Sequence, residues 1–181
     1  MCILLIFSSN YLFLGLKPYN VLILSRRGSV MKQFVGSHVV YIRRTNDTKG
    51  MTEIAFYDGE TEWVTHTPDQ LLNETLRMLN SSLTASRESM KSMMKYTQYA
   101  PVIIDAPLNL VFFPLHTRDS YEMWYINSQH YLQAIDYDRT TIYFTNGRSL
   151  TVDEKASHIM KCQNKALLAT DFYSKVRKRF L

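Results

Sequence analysis

The side chains able to do chemistry fall into three sets: scattered histidines, a close pair of carboxylates with a lone helical thiol, and cations recurring at helical spacing. The five histidines, His38, His66, His116, His130 and His158, stand far apart, and no two have metal-ligand spacing on a helix. They read as surface or core residues. Asp136 and Asp138 flank a turn before a strand. Carboxylates at a turn tip are solvated, whereas general-acid work needs a pKa raised by burial. Cys162 lies among Lys161 and Lys165, neighbours that lower a thiol pKa. A single helical cysteine still reads as structural. No G-x-S-x-G, phosphate-cradling glycine loop, G-x-G-x-x-G or H-E-x-x-H is present. Nothing here argues for an enzyme, a metal site or a cofactor.

The cations point elsewhere. Arg87, Lys91 and Lys95 are spaced by four, one per helical turn along a single face, opposed locally only by Glu88. Arg118, Arg139 and Arg148 fall at loop or hairpin positions, where long guanidinium arms reach outward into a groove. Lys175 and Arg177 open a basic tail that continues through Lys178 and Arg179. Each alone is a solvated charge by default. Together, beside the acidic stretch of residues 45–66, where Asp47, Glu53, Asp58, Glu60 and Glu62 are balanced only by Lys49, they make a polarised molecule with cations for phosphate contact. The net charge of +5 is carried by the first thirty residues and the tail, and residues 31–174 are net acidic. An anion-binding face must therefore be a local patch and not a global field.

The elements that position these residues follow from patterning. Residues 38–44 and 54–57 are β-branched and aromatic and read as strands, with Asp58-Gly59 as a hairpin turn before a strand at 62–65. Thr67, Pro68 and Gln70 mark a helix start with a capping box. Leu71, Leu72, Leu76 and Leu79 give that helix its apolar face, and Asn80-Ser81-Ser82 interrupts it. A second helix follows, with Leu83, Met90, Met93 and Met94 expected in the core. Strands are expected at 101–105, 110–114, 122–126, 131–135 and 140–145, and Asn146-Gly147 is the strongest hairpin signal. From residue 153 to 180 the pattern is helical, with Ala156, Ile159, Met160, Leu167, Leu168, Phe172 and Val176 as the expected buried stripe. The expected class is α+β in a single domain: an antiparallel sheet, a central helical segment and a C-terminal helix.

The cysteines, Cys2 and Cys162, are too few for a disulfide framework or a cysteine-rich zinc site, which favours a reducing, cytoplasmic setting. Residues 3–16 (ILLIFSSNYLFLGL) are apolar but short and interrupted for a membrane span, and the first charge, Lys17, follows the run instead of preceding it. An ordinary strand or helix, a weak anchor, and a non-native upstream extension all remain as readings. The last is favoured, because Arg26-Arg27-Gly28 is compatible with a purine-rich ribosome-binding sequence just before Met31. Residues 1–30 are thus expected to be an extension or a weakly structured segment, and 31–181 the domain.

From about residue 80 to 150 the chain resembles the ComK family of bacterial competence transcription factors. The residues that carry the likeness are Ser81-Ser82-Leu83, Arg87, Lys95, Pro101, Val102-Ile103-Ile104-Asp105, Phe112-Phe113-Pro114, Trp124 and Tyr143-Phe144-Thr145-Asn146-Gly147-Arg148. The chain departs from the family pattern at Ala85-Ser86, where the family has glycine, at Ala100, where it has a first proline, and at Leu115, where it has threonine. The resemblance implies a divergent member that binds paired A/T-rich boxes of double-stranded DNA, largely through the minor groove, as a homodimer or dimer of dimers. It also implies transcription activation of competence genes and control by a Clp-type protease adaptor, for which the C-terminal extension here is short. Because one cation of the family's basic turn is missing, a second role stays open: a regulatory paralogue with weakened DNA binding that acts by protein–protein pairing.

Overall fold

Thr67 and Gln70 cap the first helix reciprocally. In the computed structural model, which describes residues 34–116 and 123–180, α1 (Pro68–Met78) begins with the Gln70 amide donating to Thr67 Oγ1 and the Thr67 amide donating to Gln70 Oε1. Leu71, Leu72 and Leu76 are buried on one face. Asn80 takes a left-handed φ of 56°, which turns the chain, and Ser82 caps α2 (Leu83–Met94) by accepting from the Ala85 amide at 3.1 Å. The chain divides into two units, Met1–Lys32 and Gln33–Leu181. The expectation for residues 1–30 lies outside the described residues, as does Arg118, so the account below concerns the second unit.

Six strands form the larger sheet: β1 (Val39–Asp47), β2 (Gly50–Phe56), β3 (Thr61–Val64), β4 (Val102–Asp105), β5 (Leu110–His116) and β6 (Met123–Asn127). Their order is β3-β2-β1-β6-β5-β4, antiparallel throughout. β7 (Tyr131–Asp136), β8 (Thr140–Phe144) and β9 (Ser149–Val152) make a second antiparallel sheet of three strands. The turn between β8 and β9 depends on Gly147, whose φ of 81° is unfavourable for any residue with a Cβ. α3 (Ala156–Lys178) closes the fold.

Strand alternation sorts side chains into two cores. Leu110, Phe112 and Tyr125 pack with Leu71, Leu72, Leu76 and Leu83 on the α1–α2 side. Val111, Phe113, Leu115, Trp124 and Ile126 point the other way and meet Ile142, Phe144, Val152, Ile159, Cys162 and Ala166. The large sheet is thus sandwiched between the helical pair and a layer made of the small sheet and α3. A register shift between Val39 and Tyr41 breaks the alternation in β1, so that Val40 and Tyr41 both enter the second core.

The α+β expectation holds, and two expectations about helix faces do not. Met93 is 47% exposed, so the methionine run of α2 is core only at Met90. In α3 the buried face is Ala156, Ile159, Cys162, Gln163, Ala166, Ala169 and Thr170, while Met160, Leu167 and Leu168 lie outside. Small side chains let the helix lie close on β5 and β7, and the bulky ones are left on the solvent side. The helix also starts at Ala156 and not at Asp153, whose carboxylate pairs with Arg139 at 2.7 Å.

The start of α3 is capped from a distance. Lys155 at its N-cap makes no side-chain cap bond. Instead Asp136, at the end of β7, accepts from the Ala156 amide at 2.8 Å and from Thr140 Oγ1 at 2.6 Å. The Thr140 hydroxyl first, then the Ala156 amide and nearby Lys155, hold this carboxyl below the usual carboxylate range.

Candidate nucleic-acid interface

α2 is an amphipathic helix with a thin buried face, Leu83 and Met90, so most of its circumference is open to solvent. Lys91 and Lys95 stand on the open side, both exposed, with no acidic partner among the described residues. With Glu88, Ser92 and Thr97 they line a shallow open cup of about 390 Å³. Lys95 caps the helix in a left-handed conformation, φ 59°, and Tyr99 takes φ 51° a few residues on. A non-glycine residue in that region is strained, and the surroundings must hold it there.

α3 provides that hold. Lys165 donates to the Gln98 carbonyl at 2.9 Å, and its ammonium lies 5.4 Å from the Tyr96 ring and 6.0 Å from the Tyr99 ring. Tyr99 makes edge contacts with His158 at 4.6 Å and His116 at 5.6 Å. Further along, the Ser89 and Tyr173 hydroxyls hydrogen-bond, tying α2 to the last third of α3. With Lys165 at the Tyr96–Gln98 end and Tyr173 at Ser89, α3 runs antiparallel to α2, and Lys175 and Arg177 lie beyond Tyr173 near the C-terminal end of α3. Lys175 is paired with Asp171 at 2.7 Å, both well exposed, and Arg177 is exposed without an ion-pair partner among the described residues. Lys178 and Arg179 continue the same basic end.

The remaining expected cations are committed within the fold. Arg87 bonds Asp69 and Tyr125. Arg139 pairs with Asp153 beside the start of α3, the end remote from Lys175. Arg148 bonds the Gly59 carbonyl, the Glu60 carbonyl at 3.1 Å and Thr61 Oγ1 at 3.3 Å, stapling the β8–β9 turn to the β2–β3 turn. The eight expected positions therefore separate into Lys91 and Lys95 at the open flank and C-cap of α2, Lys175 and Arg177 near the end of α3, three guanidinium groups in intramolecular bonds, and Arg118 outside the described residues. Lys165, Ser89 and Tyr173 were not expected. Nothing local marks them, because their partners are far away in sequence.

The other reactive groups have structural surroundings. Cys162 is buried, and burial pushes its thiol up to about 11, against the smaller opposing pull of Lys165. His38 stacks on Phe56, His130 lies 4.9 Å from the Tyr57 ring, and His66 sits 3.9 Å from Glu74. No group of three or more His, Cys, Asp or Glu side chains suited to a metal occurs among the described residues. In the acidic opening, Glu53 is turned inward and accepts from the Tyr41 hydroxyl at 2.9 Å and from Arg43. No helix among the described residues is long and apolar enough to cross a membrane.

Set against known families, residues 33–180 match the family model described as ComK protein. No curated protein and no solved structure matches the chain.

Proposed function

This chain belongs to the ComK family, and we propose that it is a cytoplasmic transcription activator of competence genes that binds double-stranded DNA and carries out no enzymatic reaction. The observation that carries this reading is the family match across nearly the whole described domain. The finer content is A/T-rich boxes read through the minor groove by a homodimer or a dimer of dimers. An A-tract narrows that groove and raises its negative potential, so a few well-aimed cations suffice without a large net charge. Lys91, Lys95, Arg177 and, once released from Asp171, Lys175 are the cations we assign to phosphate and groove contact. Their exposure, with no ion-pair partner for Lys91, Lys95 or Arg177 among the described residues, supports that assignment.

One observation favours the second reading, a paralogue that regulates by pairing with another protein: Arg87, Arg139 and Arg148 each already bond groups of this chain. A gel-shift titration with a duplex carrying two A/T boxes separates the two. The activator reading expects a shift at low salt that weakens steeply as salt rises, because released counterions drive binding. No shift from a folded sample at low salt would transfer the case to the pairing role.

A further inference from the structure

We propose that Arg87 is a positioning residue: it locks α2 to α1 and to the centre of the large sheet, fixing the surface on which Lys91 and Lys95 stand, and does not itself contact DNA. This rests on the DNA-binding reading above. The ring of Tyr125 is 1% exposed, held in β6 between Ile42 of β1 and Pro114 of β5. Its hydroxyl reaches the edge of the core and donates to Asp69 Oδ1 at 2.7 Å. One terminal guanidinium nitrogen of Arg87 lies 2.7 Å from that same hydroxyl and 3.1 and 3.0 Å from the two Asp69 oxygens. Each of the three groups touches the other two, and each belongs to a different element.

The triangle matters because, beside the Ser89–Tyr173 bond to α3, it is the directional tie that joins α2 to α1 and the sheet. Its buried residues are Leu83 and Met90, and Arg87 falls between them on the same side of the helix. Apolar packing through two side chains holds a helix down but constrains its roll weakly, whereas a charge-assisted bond to a rigid aromatic anchor is directional. Lys91 and Lys95 follow Arg87 by one and two turns, about 6 Å of rise each. A small roll at Arg87 therefore carries both ammonium groups around the axis. A guanidinium turned to phosphate would have to abandon both Asp69 and the Tyr125 hydroxyl, leaving that hydroxyl without its charged donor.

Replacing Asp69→Asn distinguishes the two roles of Arg87. It removes a negative charge and frees the guanidinium, so a DNA-contacting Arg87 would bind duplex more tightly. A positioning Arg87 loses its anchor, and binding weakens by roughly twofold to fivefold, the scale of a partly exposed ion pair. Arg87→Gln is the second arm. Positioning predicts a loss of similar size at every salt concentration with the slope of log K against log salt preserved; a slope flattened by about 0.9 would mark a lost phosphate contact and overturn the proposal. Amide exchange of α2 in the free protein is the third, independent of DNA. Arg87→Gln should speed it, and unchanged exchange would sink the latch. If the wild-type chain fails to shift the duplex, the activator reading falls while the exchange result still decides the role of Arg87.

Discussion

Ser89 of α2 and Tyr173 of α3 share a hydroxyl–hydroxyl hydrogen bond across 84 positions of sequence, with Met93 Sδ 3.8 Å from the same tyrosine oxygen. Tyr173→Phe keeps the ring and removes the bond. Stability should fall by about 1 kcal/mol, the usual net value of one such bond, as read from denaturant midpoints. Duplex affinity should fall with it, because the two basic segments are no longer held in register. Affinity left intact in a destabilised variant would mean that the helices act independently on DNA.

Lys95→Gly should raise stability and lower DNA affinity together. Glycine accepts the left-handed φ of 59° without the steric cost that lysine bears, a gain of roughly 1 kcal/mol. The same change deletes an ammonium from the proposed interface and should reduce the salt slope by about 0.9. Lys91→Ala, on regular helix, should show the loss of affinity alone. Thermal melts and salt-dependent binding of the two variants check the pair, and a Lys95→Gly protein that melts lower contradicts the strain assignment.

Alkaline pH should unfold the domain in a way that Cys162 and Tyr41 explain. Burial, first among the causes, lifts the Cys162 thiol from 9.0 to about 11 and the Tyr41 phenol from 10.0 to about 12. The unfolded chain sheds these protons earlier than the folded one. Their contribution to stability is thus complete below about pH 9 and is lost as pH climbs through the folded values. Urea midpoints measured at about pH 8 and about pH 10.5 should differ, and Cys162→Ala should shrink the difference. At neutral pH the native thiol should resist alkylation until the domain is unfolded, which peptide mapping of the segment around Cys162 would show.

Asp136→Ala should lower the melting temperature by uncapping α3, and Asp136→Asn, which keeps an acceptor, should recover part of the loss. Because the carboxyl is held below its ordinary range, its contribution exists above that range and disappears as pH falls through the lowered value. Circular dichroism melts of the two variants at neutral and acidic pH are the check. Equal melting for Asp136→Ala and wild type would show that the first turn of α3 needs no cap.

Local chemistry was legible in the sequence and long-range chemistry was not. Thr67 with Gln70, the break at Asn80-Ser81-Ser82, and the turn at Asn146-Gly147 are decided within four residues, and the structure realises them. The buried face of α3 was misjudged because two stripes compete on one helix. Met160, Leu167 and Leu168 are the more apolar, but the layer spacing selects Ala166, Ala169 and Thr170. Helical spacing placed Lys91 and Lys95 on the open flank of α2 as expected. The same spacing could not disclose that Arg87 turns to Asp69, 18 residues away, and to Tyr125, 38 residues away.

A helix that takes its first hydrogen bond from β7 inherits its starting point from an element made earlier in the chain. The hairpins joining β7, β8 and β9 are nearest neighbours in sequence, of the kind that close within microseconds. On a growing polypeptide, that hairpin pair can be complete before Ala156 leaves the ribosome. α3 would then be laid onto a finished template and not docked as a preformed rod, which commits its small-residue side to the sheet from the first turn.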